Sequence, residues 1–115
     1  MDKKEIKKEF AHKFIAKYKD YTVTEKTEYW NENGINNEGI YLIIKNPNGE
    51  DIKLMYDGNH VGNDEMILSC SRWHGHFFDY SFPEGEEENY ADYFIRDLSE
   101  YIDKILQGAD LQTLL

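Results

Sequence analysis

The sequence lacks most of the features that link a chain to a known chemistry. Cys70 is the only cysteine, so no internal disulfide can form. No apolar run approaches the roughly 18 residues of a membrane span, and the mean hydropathy is -0.77. There is no phosphate-binding loop, no nucleophile motif and no convincing metal motif. A functional hypothesis must therefore come from architecture and charge.

Basic residues are also scarce. The 115 residues include 13 lysines and arginines against 23 aspartates and glutamates, a formal net charge of -10. Proteins that bind nucleic acid gain affinity mainly by neutralising phosphates with cations. The charge therefore argues against a nucleic-acid partner.

The compartment is inferred from the N-terminus and the cysteine. Residues 1–6 show neither an apolar signal region nor a small-residue cleavage site. With a single cysteine, this predicts a cytoplasmic protein with no membrane partner. Cys70 could be a nucleophile if a neighbour stabilised its thiolate. Its place in the alternating run 66–71 favours a small buried core residue instead.

Aromatic and apolar residues are plentiful enough for one domain over residues 1–115. They make up 15% and 40% of the chain, sufficient for a core without metals or disulfides. Residues 2–19 are predicted to form a helix, and Glu9 and Lys13 have the spacing of an ion pair on it. Its apolar side consists of Ile6, Phe10, Phe14 and Tyr18, with Ala11 and Ile15 beside them.

The central part of the chain is predicted to form strands joined by turns. Residues 21–30 and 40–45 are rich in β-branched and aromatic types, whereas 31–39 contains four asparagines and two glycines and is predicted to be a loop. Asn46-Pro47-Asn48-Gly49 predicts a tight turn. The remaining strands are predicted at 51–57, 65–73 and, after a His74-Gly75 turn, 76–82, where an irregular approach to the next helix is the alternative.

The last element is predicted to be an amphipathic helix. Ser81 and Glu84 have the spacing of a capping box, and Gly108 is a suitable C-terminal stop. Its apolar stripe comprises Tyr90, Phe94, Leu98, Tyr101 and Ile105. The residues predicted to point away from it are Asp92, Arg96, Ser99, Glu100 and Asp103, with Asp92–Arg96 and Glu100–Lys104 as ion pairs.

These elements predict an α+β fold. An N-terminal helix, an antiparallel sheet of four or five strands and a C-terminal helix are expected, with both helices on one sheet face. Charge divides along the chain: residues 2–19 carry seven lysines and three acids, and the rest carries 6 basic and 20 acidic residues.

Two histidines are the best candidates for a chemical site. His74 and His76 would point to one side of an extended strand, and Asp79 and His60 could complete a zinc site. The same pair could serve acid–base catalysis. The alternative is a turn residue and a histidine capping an aromatic face. Glutamates 84–88 could suggest a cation site, but acids near a helix N-terminus favour the helix dipole instead.

The aromatic residues suggest a binding surface. Most of Trp30, Trp73, Phe77, Phe78 and Tyr80 are expected in the core. Adjacent residues of a strand face opposite sides, so Phe77 or Phe78 should lie on the open face unless both faces are covered. An exposed ring with acids around it is a feature of protein interfaces. Surplus acids can also serve solubility alone.

The chain resembles the small acidic immunity proteins of bacterial toxin–immunity systems. The resemblance consists of size, the helix–strands–helix order, Trp73-His74-Gly75-His76-Phe77 and the acid-rich last helix. It implies a non-enzymatic protein that binds a co-encoded toxin and blocks its active site, and it assigns no family residue to a position here.

The sequence therefore predicts an interaction protein with no cofactor that neutralises a basic partner. The residues predicted to bind the partner are Trp73, Phe77, Asp79, Glu86, Glu87, Asp92, Glu100 and Asp103. The alternatives are a metal- or histidine-dependent enzyme centred on His74 and His76, and a small-molecule sensor using the space between helices and sheet. The oligomeric state and the identity of the exposed sheet face stay open.

Overall fold

The computed structural model describes residues 3–62, 64–70, 76–79 and 85–108. Within them lie two α-helices, five strands and a short 3₁₀ helix. In chain order they are α1 (Lys3–Lys17), β1 (Val23–Glu32), β2 (Ile35–Ile44), β3 (Ile52–Asp57), β4 (Glu65–Ser69), β5 (His76–Asp79), the 3₁₀ helix (Glu87–Asn89) and α2 (Tyr90–Leu106). The predicted α+β class is confirmed, with an antiparallel sheet between two terminal helices.

Helix α1 forms where its apolar periodicity predicts it. The four residues of the predicted stripe, at most 3% exposed, pack into the core with Ala11. Ile15 was expected beside them and is instead 41% exposed, whereas Lys7 is only 2% exposed. The predicted Glu9–Lys13 pair is present at 3.1 Å.

The first hairpin corrects the predicted loop at 31–39. Strand β1 runs to Glu32 and β2 begins at Ile35, leaving Asn33-Gly34 as a two-residue turn. Both residues have positive φ, 53° and 80°, which this hairpin turn requires and which Asn-Gly accepts readily. The asparagines flanking the turn belong to the paired strands and not to a loop.

The sheet is an antiparallel meander. The strand order is β1-β2-β3-β4-β5, so each strand pairs with its neighbours in sequence. The register shifts where Ile40 pairs with Asp57 and Tyr41 with Met55, which makes Tyr56 an extra, bulged residue. Strand β4 ends at Ser69, before the predicted end at 73; residues 71–75 and 80–84 lie outside the described part of the chain.

Helix α2 begins later than predicted. It starts at Tyr90 after the 3₁₀ helix, with Asn89 as its N-cap and no side-chain cap hydrogen bond, and the predicted capping box at 81–84 lies outside the described residues. At its other end Gly108 has φ 99°, as a C-terminal stop requires. The predicted turn after β2 lies at this end, where Asn48 Nδ2 donates to the Leu106 carbonyl at 2.8 Å.

Both helices pack on the same sheet face, which we call the inner face. Buried residues of α1 and α2 form one core with the inward side chains of β2, β3, β4 and β5. The central members, each at most 1% exposed, include Phe10, Phe14, Leu42, Leu54, Met66, Leu68, Phe94, Leu98 and Ile102. Neither described helix is long and apolar enough to cross a membrane.

Candidate functional site

The candidate site is the sheet face opposite the helices, which we call the outer face. Alternation along the strands places Tyr41, Met55, Ile67 and the Phe77 position there, and the register aligns them in one row across β2 to β5. Tyr41 and Ile67 are half-buried. No described helix lies on this face, so the sheet presents an apolar row outside its main core.

One end of the row is organised around Gly39. An added Cβ there would lie 2.9 Å from Met55 Cε and 3.3 Å from the Trp30 ring, so both side chains lie against the glycine backbone. His60 contacts the Trp30 ring edge-on, with centroids 4.9 Å apart. This packing leaves Met55 only 6% exposed. The aromatic end of the outer face is therefore preformed, which reduces the entropy lost on binding.

Two lysines of the outer face, Lys26 and Lys53, are already engaged. Lys26 Nζ lies 3.4 Å from Glu28 Oε1, and Lys53 Nζ lies 5.9 Å from the centre of the Tyr41 ring. Partial burial, with the Glu28 carboxylate nearby, raises the pKa of Tyr41. The phenol therefore stays neutral at physiological pH and can donate a hydrogen bond.

Two acids face each other at the β4–β5 end of the same face. Glu65 pairs directly with Asp79 across the strands, an arrangement in which like charges destabilise a sheet. Glu65 accepts a hydrogen bond from the Gly62 N–H at 3.1 Å, while Asp79 is exposed. A cationic group of a partner would relieve this repulsion.

The predicted binding residues do not form one cluster. Asp79 and the Phe77 position lie on the outer face, and Phe78, the other candidate for the open face, is buried against the helices at 8% exposure. Trp73 and the side chains of Phe77 and Glu87 lie outside the described part of the chain. Glu86 precedes the 3₁₀ helix and is half-buried.

The acids of α2 lie on the helix side of the sheet, where two of them hold α1. Asp92 Oδ1 lies 2.8 Å from Lys13 Nζ, and Arg96 pairs with Asp97 at 2.9 Å, so the predicted Asp92–Arg96 pair is wrong. Ser99, expected to point outward, is buried and donates to the backbone of the preceding turn. Glu100 is exposed as expected.

Asp103 accepts a hydrogen bond from the Tyr18 hydroxyl at 2.9 Å. Burial, strengthened by this bond, raises the pKa of Tyr18. Because the bond joins a carboxylate to the phenol of the buried Tyr18, Asp103→Ala should lower the free energy of unfolding by about 1 kcal/mol. The matched control Glu100→Ala, on an exposed residue of the same helix, should change it by less than about 0.5 kcal/mol. Urea denaturation measures both, and equal losses would contradict a special role for Asp103.

The described residues give little support to the two alternatives, a metal- or histidine-dependent enzyme and a small-molecule sensor. His74 and the side chain of His76 lie outside the described residues, and His60 packs on Trp30. Among the residues that are described, no group of three His, Cys, Asp or Glu side chains could hold a metal ion. The space between helices and sheet, proposed for a sensor ligand, contains the central core side chains named above.

Sequence reasoning missed most of the outer face, although signals for it were present. The run 40–44 is apolar at every position, which indicates a strand with two apolar faces. Met55 interrupts the polar alternation of β3 in the same way. Asn33-Gly34 between two alternating runs is a strong hairpin signal. Met55 and Trp30 meet only through the fold, since no spacing rule connects them.

Comparisons with protein-family models, with curated proteins and with solved structures found no match to this chain.

Proposed function

We propose that this chain is a non-enzymatic inhibitor of the immunity type, which binds a basic protein through the outer face of its sheet. The observation that carries the proposal is the apolar row of the outer face, which no described helix covers: Tyr41 and Ile67 are half-buried and lie on either side of the buried Met55. Apolar and aromatic side chains of this kind form the desolvated centre of protein interfaces.

Charge determines the kind of partner. The chain carries a formal net charge of -10, and two lysines of the outer face, Lys26 and Lys53, are engaged by Glu28 and Tyr41. Glu32 and Asp79, by contrast, are exposed acids at outer-face positions. Such a field accelerates encounter with a basic protein and repels acidic ones. A toxin with a basic active-site cleft fits this description.

The test uses the products of the reading frames on either side of the gene, each purified and titrated by calorimetry. One of them should be basic and bind with a submicromolar Kd. Ile67→Asp should weaken binding at least about 100-fold, because it places a charge at the centre of a desolvated surface. Raising the salt concentration should mainly slow association.

The matched control is Ile15→Asp, an exposed isoleucine of α1 on the helix side of the molecule. It should leave the Kd unchanged. Circular dichroism of both variants checks that the fold is retained. Failure of both neighbouring products to bind, or equal effects of the two substitutions, would contradict the proposal.

A further inference from the structure

Strand β1 is one of the two edge strands of the described sheet and one of its two longest strands. It has ten residues and, among the described strands, pairs only with β2. Most of its side chains are exposed, and Tyr29 is 76% exposed. A long edge strand presents a row of backbone donors and acceptors to which another strand can add.

The hydrogen bonds to β2 show which backbone groups face outward. The Lys45 N–H donates to the Thr22 carbonyl at 3.0 Å, so these two residues form a hydrogen-bonded pair. Hydrogen-bonded and non-hydrogen-bonded pairs alternate along an antiparallel ladder. The residues whose backbone groups point away from β2 are therefore Val23, Glu25, Thr27, Tyr29 and Asn31.

We propose that β1 pairs antiparallel with β1 of a second copy, around a two-fold axis at Thr27, so that two sheets join into one. In this register Thr27 faces Thr27 of the partner subunit. Glu25 faces Tyr29 of the partner subunit, and Val23 faces Asn31 of the partner subunit. All the outward backbone groups of the strand are then used.

The side chains support the same register. Lys26 lies opposite Glu28 of the partner subunit, and by symmetry this pair occurs twice. Thr24 lies opposite Trp30 of the partner subunit. Opposite charges, paired threonines and an aromatic ring beside a β-branched residue are all favourable across antiparallel strands. The pairing would also cover the exposed Tyr29 ring.

Neighbouring registers are worse for a physical reason. Moving the axis to Lys26 places two lysines opposite each other, and moving it to Glu28 places two glutamates opposite each other. Either shift also leaves an outward residue of the strand unpaired. Charge thus favours Thr27 over either adjacent centre, since directly opposed like charges destabilise a strand pair.

Sedimentation equilibrium of the full chain tests the charge pairs. The chain should dimerise, and Glu28→Lys should raise the dimer dissociation constant at least about tenfold by opposing Lys26 with a lysine. The double variant Lys26→Glu/Glu28→Lys should restore it, because the pairs are exchanged. Glu32→Lys makes the same charge change beyond the paired residues and should have little effect.

A disulfide tests the register directly. In a Cys70→Ser background, Thr27→Cys treated with oxidised glutathione should form a covalent dimer by thiol–disulfide exchange, because residues facing each other in a hydrogen-bonded pair have Cα atoms about 5.5 Å apart. The control Glu32→Cys should not, since its copies would lie ten residues apart along the strands, roughly 34 Å at about 3.4 Å per residue.

A chain that stays monomeric at millimolar concentration would overturn the inference. So would a dimer that is insensitive to Glu28→Lys, or one in which the two cysteine variants cross-link equally. The inference does not depend on the proposed inhibitor function, because the sedimentation and cross-linking experiments contain only this chain.

Discussion

Replacing Gly58 by alanine is expected to lower the free energy of unfolding by about 3 kcal/mol. Gly58 has φ 108°, where a side chain is strained, and an added Cβ would lie 2.3 Å from the Glu38 carbonyl oxygen. That oxygen belongs to the backbone of β2, so the clash cannot be relieved by a side-chain rotation. The loop after β3 must move instead.

Hydrogen bonds to β2 oppose that movement of the loop. Asn59 Nδ2 donates to the Asn36 carbonyl at 3.0 Å, and the His60 N–H donates to the Glu38 carbonyl at 3.3 Å. These bonds hold the loop against the extended β1–β2 hairpin and bring His60 to Trp30. Displacing the loop would therefore disturb the aromatic end of the outer face as well as the global stability.

Urea denaturation followed by tryptophan fluorescence measures the loss. The matched control is Gly34→Ala, since Gly34 also has positive φ, 80°, but nothing lies within 4 Å of its added Cβ. This control should lose only about 1 kcal/mol, the cost of the backbone conformation alone. Equal losses at the two positions would show that the close contact with Glu38 contributes nothing.

Replacing the buried Lys7 by methionine should raise the free energy of unfolding at pH 7 by about 2 kcal/mol. Lys7 is 2% exposed, its Nζ donates to the Glu65 carbonyl at 2.6 Å, and the ammonium lies 5.5 Å from the centre of the Phe94 ring. Burial lowers its pKa from 10.5 to about 8 despite the nearby charges of Asp57, Asp64 and Glu65. The charged form of the amine therefore has a higher free energy in the folded protein than in water.

The lowered pKa of Lys7 also predicts that stability rises with pH in the alkaline range. Because the folded chain releases the Lys7 proton near pH 8 and the unfolded chain near 10.5, the unfolded state binds more protons between these values. Stability should therefore rise by about 2 kcal/mol from pH 8 to about 10. Above pH 10 it should fall, since burial raises the pKa values of Tyr18 and Tyr56 and the unfolded tyrosines ionise first.

Urea denaturation of the wild-type chain and of Lys7→Met at intervals from pH 7 to 10 tests both statements. The rise should vanish in the variant. Lys8→Met is the matched control, because Lys8 is exposed on the same helix, and it should retain the rise. A variant that is less stable than the wild type at pH 7, or that keeps the rise, would contradict a destabilising charge at Lys7.

Local patterns were sufficient to predict the architecture. Phe10 and Phe14 on α1, and Phe94 and Leu98 on α2, recur at helical spacing and are all buried. Errors arose where two patterns overlap, as in 31–39, where asparagines suggested a loop although Asn33-Gly34 alone makes the turn. Composition described that segment as a whole and missed the alternation on either side of the turn.

Local patterns predicted much less of the candidate site. Asp92 and Asp103 were expected to face a partner because they lie off the apolar stripe of α2, yet they contact Lys13 and Tyr18 of α1. Only the approach of the two helices determines this. The long sequence separation of each pair explains why no local rule could detect it.

The sequence by itself determined the order of helices and strands and the residues of the helical core stripes, because amphipathic periodicity follows from backbone geometry. It also determined the acidic charge. Tertiary structure alone decided that Tyr41, Met55 and Ile67 form an outer row, that Lys7 is buried, and that β1 is an edge. A strand pattern divides residues between two faces, but which face is covered depends on how distant segments pack.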